Sequence, residues 1–178
     1  MDFRLLLLVL VAAPVGAADV RILNMGDACA GVEAKEAALG SKTVSWEGTP
    51  REYAHAFEVS EFGRDVVVMY WCQKGRLFTG NYRFPWEELN AAATSFRSVH
   101  DHLLEMYGTP FLDSSPWHVR DAAQPAIIAS QPSQYMSEWR TSRVLAHLMI
   151  ANDRRDDGSL GWRVWLVIGP PGMQMKPK

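Results

Sequence analysis

The chain has 178 residues and a net charge of −2, without any block of like charge. This near-neutral balance argues against a protein that binds nucleic acid or adheres to an anionic membrane, because both need a clustered positive surface. The length, less an N-terminal leader, fits a single domain with a hydrophobic core of its own.

The first residues have the layout of a secretory signal peptide. Arg4 gives a positive start, residues 5–13 are uninterrupted apolar, and small residues precede a cleavage point near Ala17 or Ala18. The apolar run is shorter than the roughly 20 residues of a transmembrane helix, and no cysteine lies at the cleavage region for a lipid anchor. The sequence therefore predicts a periplasmic or secreted protein whose mature chain begins at Ala18 or Asp19; the alternative is a buried N-terminal helix.

Both cysteines, Cys29 and Cys72, lie in the predicted mature chain. Thiols pair in an oxidising compartment, and an even count without a leftover predicts one disulfide between them. A catalytic thiol needs a nearby base and an exposed setting, whereas Cys72 lies in an apolar run. Zinc sites use paired Cys-x-x-Cys spacing, which is missing here. We therefore expect a structural disulfide, with catalysis and metal binding as the less favoured alternatives.

The first predicted elements are a short helix and three strands. The helix covers Asp27–Leu39, with Asp27 as its N-cap and Gly40 just after its end. Gln73-Lys74-Gly75 is predicted to be a three-residue hairpin turn, and Phe62-Gly63-Arg64 a solvated hairpin tip. The strands are predicted over Tyr53–Val59, Val66–Cys72 and Leu77–Phe84.

The third strand alternates Phe78, Tyr82 and Phe84 with polar residues, and the period then changes to that of a helix. This second helix is predicted to start with Pro85 at its first position and to end at Gly108. Its apolar face comprises Trp86, Leu89, Ala93, Phe96, His100, Leu103 and Tyr107. His100 is expected to face the core and His102 the solvent, so the two cannot share a metal ion.

Residues 109–138 are rich in proline and have no periodic pattern. Loops of this length are usually functional or partly disordered. Trp117, next to Pro116 and His118, is the kind of aromatic anchor that forms an interface hot spot; the alternative is that Trp117 folds back over the helix end. The predicted interaction surface comprises Trp117, His118, Arg120, Tyr135 and Met136.

The rest of the chain predicts a hairpin of two strands, Trp139–Ile150 and Trp162–Ile168, and a flexible tail at 169–178. The element order α-β-β-β-α-loop-β-β predicts an α+β fold with a largely antiparallel sheet of five to six strands and two helices packed on one face. The predicted division is a signal peptide at 1–18, a single domain at 19–168 and the tail.

Two stretches resemble a known group of proteins. LNMGDACAGVEAKEAALG, a short helix ending in Leu-Gly before strands, resembles small exported Gram-negative envelope proteins. VHDHLLEMYGTPF is similar to their second helix, which ends in Tyr-Gly-x-Pro, here Tyr107–Pro110. The architecture looks like the β-lactamase-inhibitor-protein-like group, although the anchor cysteine of its lipoprotein members is missing. The resemblance implies a binding function rather than a catalytic one, and it assigns no functional residue.

The chain has no serine-hydrolase elbow, phosphate-binding loop or dinucleotide fingerprint, and we expect no cofactor and no metal. The leading hypothesis is an exported, disulfide-bonded protein that binds another protein, as an inhibitor, immunity-type or envelope accessory factor. The alternative is a small periplasmic hydrolase or ligand-binding protein with a pocket under the 109–138 loop, using His118, Arg120 or Asp121. A purely structural envelope protein is the third possibility.

Overall fold

A computed structural model describes residues 18–45, 54–114, 135–155 and 157–173. The described chain forms two helices, α1 (Val32–Ala38) and α2 (Leu89–Tyr107). Its eight strands are β1 (Lys42–Thr43), β2 (Ala54–Glu61), β3 (Arg64–Gln73), β4 (Arg76–Arg83), β5 (Leu112–Asp113), β6 (Tyr135–Arg140), β7 (Leu145–Arg154) and β8 (Leu160–Gly169).

All eight strands belong to one antiparallel sheet in the order β1-β2-β3-β4-β8-β7-β6-β5. Within β1–β4 and within β5–β8, every strand pairs with the next strand along the chain. These two halves of the sheet meet where β4 pairs with β8. The predicted α+β class and antiparallel sheet are therefore confirmed. The predicted count of five to six strands is wrong, because both edges are two-residue strands and the predicted strand Trp139–Ile150 is two strands, β6 and β7.

The predicted strand divides at a turn that Thr141 stabilises. Its hydroxyl oxygen accepts the backbone N–H groups of Arg143 at 3.1 Å and Val144 at 2.9 Å. The alternation of apolar and polar residues continues across this turn, because Val144 within it is buried like the apolar residues of the strands. Periodicity alone therefore gives no sign of the break.

One face of the sheet carries the core. The strand register aligns one row across six strands, and no side chain in it is more than 3% exposed. This row comprises Phe57, Val68, Tyr82, Leu166, Leu148 and Ser137. Val32 of α1 and Phe96 and Val99 of α2 belong to the same hydrophobic cluster. The helices and the N-terminal segment therefore close over a single core.

Both helices begin later than predicted because tertiary pairing uses the backbone before them. Asp27 does not cap α1: its carbonyl accepts the N–H of Leu77 at 2.8 Å, and its carboxylate accepts the N–H of Asn24 at 2.8 Å. Residues 85–88 likewise precede α2, since Glu87 and Trp162 exchange backbone hydrogen bonds of 2.9 and 3.0 Å.

The two tight turns each contain two residues with positive φ. Phe62 and Gly63 have φ of 53° and 72°, and Lys74 and Gly75 have 52° and 73°; this is the type I′ conformation that fits the twist of a hairpin. The predicted three-residue turn at 73–75 is therefore one residue too long. The predicted solvated tip is also wrong, because Phe62 packs edge-on against Tyr82, with ring centroids 5.3 Å apart.

A bulge between Trp71 and Cys72 changes which residues of β4 face the core. The register shifts from Trp71 opposite Thr79 to Cys72 opposite Leu77. Leu77 is consequently buried and Phe78 is exposed, which reverses the prediction for Phe78. A sequence pattern of strict alternation cannot include the extra residue that a bulge inserts.

Candidate functional site

The disulfide between Cys29 and Cys72 is present, with a Cα–Cα distance of 6.4 Å. Cys72 lies next to the last residue of β3, and Cys29 precedes α1, where its N–H donates to the carbonyl of Gly75 at 2.9 Å. Both sulfur-bearing side chains are buried. The chain has no free thiol, so Cys72 is neither a nucleophile nor a metal ligand in this oxidised state.

A buried polar network lies beneath α1. Glu36 is fully buried, and its carboxylate accepts hydrogen bonds from the Arg21 guanidinium at 3.2 Å and from the Tyr70 hydroxyl. Burial and then the bond to Glu36 raise the pKa of Tyr70, so the phenol remains a donor. Burial alone would lower the pKa of Arg21, but the carboxylates of Glu36 and Glu61 outweigh it and the pKa is raised. The charge on Glu36 is thus paired and hydrogen-bonded, as a buried charge requires.

A cavity of about 620 Å³ lies between α2, the N-terminal segment and the β2–β3 turn. Its aromatic wall includes Phe62, Tyr82 and Tyr107, and His102 of α2 packs edge-on against Phe62 at 5.4 Å. Asp19 lines the same cavity. The predicted pocket under the 109–138 loop depends on His118, Arg120 and Asp121, which lie outside the described chain.

Two polar atoms of residues beside this cavity are buried out of reach of solvent and make no hydrogen bond to the described residues. They are the Tyr107 hydroxyl and Oε2 of Glu61. Burial and then the Asp19 carboxylate raise the pKa of Tyr107 to about 12, with Arg143 opposing the shift. Burial and then Glu61 raise the pKa of Tyr82 well above its usual value. At neutral pH both phenols are therefore protonated.

The histidine clusters of the described chain do not form a hydrolytic site. His100 Nε2 lies 3.4 Å from Asp113 Oδ2, while the Ser137 hydroxyl donates to Oδ1 of the same carboxylate at 2.9 Å. In a catalytic triad the serine bonds to the histidine, so nothing here activates Ser137. His147 Nδ1 lies 3.3 Å from Glu138 in a second pair. Within the described ranges no group of three or more His, Cys, Asp or Glu could hold a metal ion.

Only two of the predicted surface residues fall within the described chain, and one of them is in the core. Tyr135 pairs with Ile150 on the core side of the sheet and is buried, and Met136 is half-buried on the opposite side. Tyr135 therefore does not belong to an exposed surface. Trp117, His118 and Arg120 lie outside the described residues.

The described base of the predicted loop carries apolar side chains that do face solvent. Six large apolar side chains are exposed in the described ranges, and three of them, Leu104, Phe111 and Leu112, lie where α2 meets β5. The Arg140 guanidinium lies 4.4 Å from the centroid of the Phe111 ring. We call these four residues the Phe111 surface. Phe111 and Leu112 have no sequence signal beyond being an apolar pair between Pro110 and Asp113.

The described residues contain no helix both long and apolar enough to cross a membrane. Comparison of the chain with protein-family models, curated proteins and solved structures finds no match. The resemblance to the β-lactamase-inhibitor-protein-like group therefore stays a prediction.

Proposed function

We propose that this chain is an exported protein-binding module that holds its partner at the Phe111 surface. The observation that carries the proposal is the exposure of Phe111, which is 68% accessible and is followed directly by the exposed Leu112, with Leu104 exposed on the last turns of α2. Large exposed apolar groups that lie close together mark interaction sites more often than single ones do. Export is supported by the disulfide, because such bonds persist in oxidising compartments.

The composition of the Phe111 surface fits an interface. Aromatic residues and arginine are enriched in interfaces, and Arg140 lies over the Phe111 ring in a cation–π contact. Arg140 also bonds through Nε to Glu138 Oε1 at 2.6 Å, which fixes the guanidinium in place while more than half of the side chain stays accessible. The expected partner therefore presents an apolar patch bordered by a carboxylate.

The backbone around this surface is well anchored, which reduces the entropy lost on binding. The Phe111 N–H donates to the Glu138 carbonyl at 2.7 Å, and the Trp139 indole N–H donates to the Gly108 carbonyl at 2.8 Å. The Ser114 hydroxyl and backbone N–H both bond to the Met136 carbonyl. The base of the loop is thereby attached to β6 on both sides of Phe111.

The test compares Phe111→Ala with Leu160→Ala. Leu160 is 64% exposed at the start of β8, so it matches Phe111 in exposure but lies outside the proposed surface. A photo-crosslinking amino acid placed at position 111, and in parallel at 160, identifies the partner in an extract of the producing cells. The partner is then purified and its Kd measured for the two alanine variants.

The expected result is a loss of affinity of about tenfold or more for Phe111→Ala, as for an interface anchor, and none for Leu160→Ala. Both variants should keep the free energy of unfolding of the original chain to within about 0.5 kcal/mol, since exposed side chains away from special features contribute little. Equal affinity of the two variants, or unfolding of Phe111→Ala, would contradict the proposal.

A further inference from the structure

Two methionines, a histidine and a tryptophan lie side by side on the face of the sheet opposite to the core. Strand pairing places Met136 of β6 directly opposite Met149 of β7, and Met149 directly opposite Trp165 of β8. His147 comes two residues before Met149, so its side chain lies on the same face of β7. We call these four residues the methionine patch.

The spacing within the methionine patch suits a shared ion. Directly opposed residues of an antiparallel pair have Cβ atoms about 4.5–5.5 Å apart, and residues two apart in one strand lie about 7 Å apart. A methionine side chain has three rotatable bonds, so the sulfur atoms of Met136 and Met149 can meet a ring nitrogen of His147. Solvent reaches the patch, because Met136, Met149 and Trp165 are only half-buried and 5% of the His147 side chain is accessible.

Glu138 determines which ring nitrogen of His147 is available. Its Oε2 lies 3.3 Å from Nδ1, and its Oε1 accepts the Nε–H of Arg140 at 2.6 Å. A carboxylate paired with a guanidinium only accepts, so Nδ1 carries the hydrogen and the lone pair of the neutral ring is on Nε2. Histidines that bind metals almost always donate their other ring N–H in this way, to a carboxylate, a carbonyl or water. His147 is therefore oriented as a ligand through Nε2.

The donor atoms of the methionine patch favour a soft cation. Thioether sulfur selects Cu(I), and imidazole also suits copper, whereas Mg²⁺ and Ca²⁺ take oxygen ligands. Zinc sites combine imidazole with thiolate or carboxylate ligands. The chain has no free thiol, so thioethers are the sulfur ligands that it can offer. Trp165 adds an aromatic face, which attracts cations.

We propose that Met136, His147 and Met149 bind one Cu(I) ion through two thioether sulfurs and the Nε2 atom, beside the ring of Trp165. The ion binds and leaves as Cu(I), so no electron transfer is involved. The proposal does not depend on the partner at the Phe111 surface, because none of the three ligands belongs to that surface.

The test titrates the purified chain with Cu(I) under anaerobic conditions, in competition with a chromogenic Cu(I) chelator such as ferrozine. One equivalent of Cu(I) should move from the chelator to the protein. Met136→Leu and Met149→Leu should each weaken binding by at least the 10–100-fold that loss of a hydrogen-bonding partner of a metal ligand costs. Leucine and methionine are close in volume, so both variants should fold. Met106→Leu, at a half-buried position of α2, is the matched control and should bind as the original chain does.

NMR of the original chain locates the ion without any substitution. Ag(I), which prefers the same ligands but is not oxidised, should shift the methyl resonances of Met136 and Met149 and the ring resonances of His147. The methyl resonance of Met106 should not move, and Zn²⁺ at the same concentration should shift none of them. Failure to withdraw Cu(I) from the chelator overturns the proposal. So does Cu(I) binding that survives Met136→Leu and Met149→Leu together, an equal loss in Met106→Leu, or Ag(I) shifts confined to other methionines.

Discussion

Reduction of the Cys29–Cys72 disulfide is expected to lower the free energy of unfolding by about 4 kcal/mol at 25 °C. The bond joins residues 43 positions apart. In the chain-entropy model, closing a loop of that length removes on the order of 13 cal/mol/K from the unfolded ensemble, which gives this value. A single domain is stable by only about 5–15 kcal/mol, so the bond contributes a large share of the total.

The assay is equilibrium unfolding in urea, followed by tryptophan fluorescence, of the oxidised chain and of the same chain kept reduced. The reduced form is a better comparison than a Cys29→Ala/Cys72→Ala variant, because both side chains are buried and alanine would add the cost of a cavity. The reduced chain should also have the larger m-value, since its unfolded state is more expanded and exposes more surface.

Two results would refute this reasoning. A stability difference below about 1 kcal/mol would mean that the loop is already constrained in the unfolded chain, because the entropic term would then be missing. Alkylation of both thiols without reductant would mean that the bond does not form in the purified protein. In either case the role of Cys72 would need another explanation.

Two further predictions concern buried positions. The pKa of Tyr107 is raised to about 12, and that of Tyr70 is also raised. The stability that depends on their protonated forms is therefore complete below pH 10 and is lost as the pH increases through about 12. Absorbance at 295 nm should show both phenols ionising together with unfolding, and normal titration near pH 10 in the native state would contradict this. Gly80→Ala should lower the free energy of unfolding by about 1–3 kcal/mol, since its Cβ would lie 2.3 Å from a methyl carbon of Val20. In urea unfolding the control is Gly172→Ala, whose Cβ would have no atom within 4 Å. Adding Val20→Ala to Gly80→Ala should recover part of the lost stability.

The sequence predicted the parts of this fold that depend on local pattern. The second helix was found because its apolar residues recur at steps of three and four, and it ends at Gly108 as predicted. The disulfide followed from an even cysteine count and the predicted export, and the structure contains it. The strands around Phe57 and Tyr82 alternate in the printed sequence because one side of each faces the core, whereas the strand around Val68 was found as an apolar run that is buried inside the sheet.

The late start of α1 and the bulge in the β3–β4 pair have a common cause, which is pairing between residues distant in sequence. Residues 26–29 read as a helix start because Asp27 is a good cap, but their backbone groups bond to Gly75 and Leu77 at the end of the β3–β4 hairpin. The bulge at Cys72 exists only relative to its partner strand. Neither feature changes the local composition, so no local pattern can reveal it.

The candidate sites were harder to predict than the fold for the same reason. Phe111 is exposed because the backbone around it is bonded to β6, and the cavity exists because Phe62 turns inward at a hairpin tip that reads as polar. Trp117, the residue that sequence reasoning favoured, lies outside the described chain. Its contribution to binding stays a prediction, which the crosslinking experiment can test when it is repeated at position 117.

The N-terminal segment connects the two halves of the sheet with the cavity. Asp19 pairs with Arg143 in the turn between β6 and β7, whereas Cys29 is bonded to β3 in the other half of the sheet. Between them Val20 packs on Gly80 of β4, next to the seam with β8. The eleven residues from Asp19 to Cys29 therefore join both halves of the sheet, and two of them, Asp19 and Arg21, also line the cavity. Cleavage of the predicted signal peptide near Ala18 would leave this segment intact, so the first residues of the mature chain would hold the fold together.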